Sequence, residues 1–74
     1  MLLSDMKPGD RCIIENINID NSIKRRLLDL GIVKGTLVEC LYESMFKSPV
    51  AYLVRDTVIA IRKKDSCNIQ VNLV

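Results

Sequence analysis

Few residues in this 74-residue chain can do chemistry, and their spacing restricts what that chemistry can be. There is no histidine, so the usual imidazole base and the commonest metal ligand are both missing. The three cysteines, Cys12, Cys40 and Cys67, are far apart, show no Cys-x-x-Cys spacing and have apolar neighbours. They are expected to be small, soft core side chains in a reducing compartment rather than a zinc site, which needs a fourth ligand and clustered donors. The carboxylates Asp5, Asp10 and Asp20 are hard oxygen donors, but they are scattered, and no acid–base pair is evident. Gly31 and Gly35 fit neither nucleotide-binding fingerprint. The expectation is therefore no catalytic residue, no metal site and no cofactor: a chain that is not an enzyme.

What remains is charge and apolar surface. Lys24-Arg25-Arg26 and Arg62-Lys63-Lys64 are two cationic groups that can meet anions. Phosphates are one such target, but the aromatics are only Tyr42, Phe46 and Tyr52, too few and too dispersed for a base-stacking platform. The net charge of +2 is also weak for a nucleic-acid domain. Nucleic acid is not expected as a partner, and a small nucleic-acid-binding barrel stands as an alternative. A protein partner fits better. Lys24, Arg25, Arg26 and Leu28 together form an apolar spot ringed by cations, suited to an acidic, partly apolar surface.

The elements that position these residues can be read from pattern. Asn21 or Ser22 caps a short helix in which Ile23, Leu27 and Leu30 fall within about 60° of one another and face the core. Gly31 stands where a helix ends in a left-handed residue, and Gly35 marks a turn into the next strand. Before the helix, Lys7-Pro8-Gly9-Asp10 is a type II turn followed by a strand from Arg11 to Ile17. After it, strands are expected over 36–43, 50–55 and 57–62. A loop spans Ser44 to Pro49, and a tight hairpin turn lies at Asp56. Lys63 to Cys67 forms one helical turn, and Ile69 to Val74 is a period-two strand with Ile69, Val71 and Leu73 on one face. Five short strands and one helix after the first strand hide their sheet edges best as a small, partly open barrel, with the helix plugging one end. Outward positions at Leu37, Ala51 and Leu53 offer a second apolar surface for a second copy or a sheet-edge contact.

Length and composition agree with one domain over residues 1–74. An apolar fraction of 49% can fill the core of so small a chain, and a charged fraction of 27% is ordinary for a globular protein. No apolar run approaches the ~18 residues of a membrane helix, and the N-terminus lacks the pattern of a signal peptide. A cytoplasmic protein with no direct membrane insertion is the expectation.

In this order the motifs resemble the FeoA family of bacterial ferrous iron transport. The matching residues are Leu3, Lys7-Pro8-Gly9-Asp10, the run from Arg25 to Thr36, Pro49, Val54-Arg55, Ile59-Ala60-Ile61-Arg62, Asp65 and Ile69-Gln70-Val71. The match is colinear over nearly the whole chain. It departs at Lys47-Ser48-Pro49 and at Asp56, where the family often has Gly-Asp-Pro and glycine. The resemblance implies an SH3-like β-barrel of five to six strands. It also implies a partner, the FeoB-type Fe²⁺ permease with its cytosolic GTP-binding domain, with a possible homo-oligomer. The same fold admits a regulatory barrel like that of iron-dependent repressors, although this chain has no helix-turn-helix segment.

Overall fold

The computed structural model describes residues 1–45 and 48–74. Phe46 and Lys47, and with them part of the expected 44–49 loop, lie outside the described residues. Along the chain run β1 (Arg11–Ile17), α1 (Asn21–Asp29), β2 (Leu37–Glu43), β3 (Val50–Val54), β4 (Thr57–Ile61), α2 (Lys63–Ser66) and β5 (Ile69–Leu73). The strands make one antiparallel sheet in the order β4-β3-β2-β1-β5. The architecture is therefore mainly β, with one substantial helix after the first strand and a single helical turn at α2. Among the described residues no helix is long and apolar enough to cross a membrane.

Two bulges bend the sheet. The β1–β5 register slips between Ile14 and Asn16, so Cys12 and Ile14 point inward and the next inward residue is Ile17. A similar slip separates Cys40 from Tyr42 in β2. An extra residue on one strand increases local twist and lets five short strands wrap around a core. Among the described residues that core is aliphatic around one ring, Tyr52, which is fully buried. Leu3 is also fully buried. It comes from a 3-10 turn at Leu3–Asp5 that no periodicity announces, and its carbonyl accepts the Tyr52 hydroxyl at 3.3 Å.

The remaining differences are local. The β3–β4 hairpin turns on two residues, Arg55 and Asp56, both with positive φ (50° and 63°), where the sequence marks Asp56 alone. Such a type I′ turn matches the twist of the flanking strands. Leu73 is exposed although Ile69 and Val71 are buried, because β5 is an edge strand ending there. Ala51, expected to face outward, is only 5% exposed: in a central strand directly across from Tyr42, its one methyl group does not reach past its neighbours. Leu37 is exposed and Leu53 half-buried, so that face is less apolar than the pattern suggests.

Cys12 and Cys40 are buried in the core, whereas Cys67 is exposed. Loss of solvent is the main reason the Cys12 thiol is pushed up to about 11, with Cys40 and Asp10 adding to it. Burial raises Cys40 as well, with Glu43 and Asp10 contributing. The thiolate is the reactive form. Alkylation of the folded protein near pH 8 should therefore label Cys67 alone, and denaturant should release the other two. Mass spectrometry of the labelled peptides reads this, and rapid native labelling of Cys12 would contradict the buried placement.

Candidate protein-docking surface

The helix α1 starts at Asp20, whose carbonyl accepts the Lys24 N–H at 3.0 Å and whose carboxylate accepts the Ser22 hydroxyl. Asn21 and Ser22, the expected caps, lie inside the first turn instead. The helix stops at Gly31. The Ile32 N–H bonds back to the Leu27 carbonyl at 2.9 Å and the Gly31 N–H to the Leu28 carbonyl at 3.0 Å. These two bonds make a Schellman motif, which needs the left-handed φ of 89° that Gly31 supplies. The Arg55 side chain at the β3–β4 hairpin lies across this stop: a Cβ on Gly31 would sit 3.2 Å from Arg55 Cδ. The Thr36 hydroxyl then donates to the Gly31 carbonyl at 3.0 Å, tying the helix stop to the start of β2.

This reversal changes which residues seal the core. Of Ile23, Leu27 and Leu30, Leu27 is buried, Ile23 is half-buried, and Leu30 remains 40% exposed. Ile32 takes the inward place, because the Schellman turn folds it back over Leu27. Consequently α1 does not plug the barrel with a full face. It rests on Leu27 and leaves a groove between itself, β4 and α2.

The groove holds about 640 Å³. Ile23, Leu27 and Leu30 line one wall, and all five residues of β4 line the other. Arg26, Arg62, Lys64 and Asp65 stand around it, three cations against one carboxylate. The four residues singled out from sequence are all exposed, but the structure separates them. At 100° per residue Arg26 lies beside Ile23, Leu27 and Leu30 and so belongs to the groove. Lys24, Arg25 and Leu28 fall on the opposite, outward face. Arg62, Lys64 and Val58 are groove residues that α1's sequence does not point to, since only folding brings β4 and α2 beside it. Among the described residues, no three cysteine, aspartate or glutamate side chains gather as a metal-ligand set.

The chain is 27% identical over its full length to a putative Fe(2+) transport protein A of Campylobacter jejuni, which it covers completely. It is also 27% identical, again over its full length, to a Porphyromonas gingivalis protein described as a fusion of Fe(2+) transport protein A and the Fe(2+) transporter FeoB; it spans 9% of that protein. Among solved structures, the zinc complex of FeoA from Stenotrophomonas maltophilia, described as an SH3 domain protein, superposes with a TM-score of 0.85. The identity is 26%, over 97% of this chain and 89% of that one. The sheet described above is thus of the SH3-like kind. The family model for the FeoA domain matches residues 1–73, and the chain belongs to the FeoA family.

Proposed function

We propose that this chain is a small cytoplasmic accessory protein of ferrous iron uptake that docks on the cytosolic region of a FeoB-type permease. It acts by contact, not as an enzyme. One observation carries this reading: in the Porphyromonas gingivalis relative the two proteins are described as one fused polypeptide. Fusion holds two modules at high effective concentration, which favours modules that work while in contact. The exposed outer face of α1, with Lys24, Arg25 and Leu28, supports docking on an acidic, partly apolar surface, and Arg26 extends that surface into the groove.

The test is a pull-down of the permease's cytosolic region, with and without GTP, by the wild-type chain and by an Arg25→Glu/Leu28→Ser double variant. Both side chains are exposed, so the variant should melt within a few degrees of wild type. Binding is expected to weaken about tenfold or more, as loss of a central contact pair usually does. Undiminished retention by the folded variant rejects the outer face. Absence of binding by the wild-type chain rejects docking itself.

A further inference from the structure

The two edges of the sheet are treated differently. On β5 the Val71 N–H is bonded to the Met1 carbonyl at 2.8 Å, and Leu2 forms a bridge with Gln70, so the N-terminal segment covers that edge. No such cover lies on β4 among the described residues, and β4 is the other edge. In a two-residue hairpin the pair flanking the turn exchanges both ladder bonds, here Val54 with Thr57. Alternation then turns Ile59 and Ile61 toward β3 and leaves the N–H and C=O of Val58 and Ala60 directed away from the sheet. Both residues are exposed, and Val58 is 56% exposed. Natural edge strands are usually blunted by proline, lysine or a bulge. The segment from Thr57 to Ile61 has neither residue, and its pairing with β3 runs without a register shift.

We infer that the open edge of β4 receives an extended acidic segment of a partner protein, which adds to the sheet as a further strand and fills the groove beside α1. Main-chain bonds to Val58 and Ala60 supply the affinity common to strand addition, and side-chain pockets supply the choice of sequence. Apolar residues of the segment would rest on Ile23, Leu27 and Leu30. Its alternate carboxylates would meet Arg26, Arg62 and Lys64. A second copy of this chain is a poor occupant, because it would bring two positive rims together over one groove. The inference rests on the docking reading for the natural source of the segment. Apart from Arg26 it uses a different surface, so the two can fail separately.

The probe is an end-blocked eight-residue peptide alternating valine with glutamate, titrated into the ¹⁵N-labelled chain at low salt; a valine–lysine peptide is the control. The acidic peptide should shift the Val58 and Ala60 amides and slow their hydrogen exchange at least tenfold, and the lysine peptide should do neither. The Arg26→Glu/Lys64→Glu variant should weaken binding about tenfold. Val58→Pro removes an outward N–H without breaking a ladder bond, so it should abolish binding in a chain that keeps its dispersed spectrum. The Arg25→Glu/Leu28→Ser variant should bind the peptide normally. The inference is overturned by no binding at millimolar peptide, by shifts confined to the outer face of α1, or by retained binding in folded Val58→Pro. Protection of β4 that grows with protein concentration alone identifies a second copy as the occupant and also overturns it. Peptide binding with failed permease pull-down sinks the docking reading alone. Successful pull-down with unchanged β4 amides sinks the strand addition alone.

Discussion

Replacing Tyr52 with alanine is expected to lower the stability of this domain by about 3–5 kcal/mol, the range for deleting a buried aromatic ring. Tyr52 is the largest fully buried side chain and belongs to the core cluster. A chain of this length is held by about 4–11 kcal/mol, taking ~0.05–0.15 kcal/mol per residue, so the loss removes a large share of the total. Denaturant melts should show a midpoint lowered in proportion to that loss; a fully cooperative melt near the wild-type midpoint would contradict the packing. Tyr52→Phe separates the ring from its hydroxyl. It leaves the Leu3 carbonyl without its donor and should cost about 1–2 kcal/mol.

The same hydroxyl adds a pH dependence whose sign follows from burial. Burial first, then the neighbouring Cys40, pushes Tyr52 from 10.0 up to about 12, while the nearby Ser66 hydroxyl works the other way. Between pH 10 and 12 the unfolded chain has released a proton that the folded chain still holds. Stability therefore falls as pH rises through that window. Cys12 acts in the same direction between 9.0 and about 11. Tyr52→Phe should flatten the upper part of this alkaline decline, measurable as the denaturation midpoint from pH 9 to 12.

Replacing Leu27 with alanine is expected to have the second largest effect, concentrated in α1. Leu27 is the one fully inward residue of a nine-residue helix, and Ile23 adds only a half-buried contact. A helix this short has little stability of its own and depends on packing. The loss should be about 2–3 kcal/mol, which opens the α1 amides to hydrogen exchange roughly 30- to 150-fold faster. Amides of β1, β2 and β3, whose core is built from other residues, should remain protected. Because both the outer face and the groove depend on α1, partner binding should fall far more than global stability. Uniform acceleration across sheet and helix would show that α1 is instead part of the cooperative core.

Much of this fold is legible because its signals are local. The bounds of β1 follow from a turn with a proline and a glycine at its corners and from the β-branched run behind it. The stop at Gly31 is legible for the same reason: its backbone needs a left-handed residue, and glycine is the cheapest one. The helix wheel holds for Ile23 and Leu27 and fails at Leu30, because Leu30 lies past Asp29 in a turn that reverses the chain. Leu3 shows the opposite limit. A three-residue turn has no period, and the group that meets its carbonyl, the Tyr52 hydroxyl, is 49 residues away.

The candidate surface divides along the same line. Residue types and helical spacing, read from the sequence alone, set a cationic, apolar-spotted helix ended by glycine, and the run from Arg25 to Thr36 that carries it is part of the resemblance to the family. Tertiary structure decided which side of that helix each residue serves, sending Arg26 to the groove and Lys24, Arg25 and Leu28 to the outer face. It also decided that β5 is covered by Met1 and Leu2 while β4 lies open. The physical reason is that an edge is a relation between strands. Whether a backbone N–H finds a partner depends on which distant segment folds beside it, and no pattern within five residues encodes that.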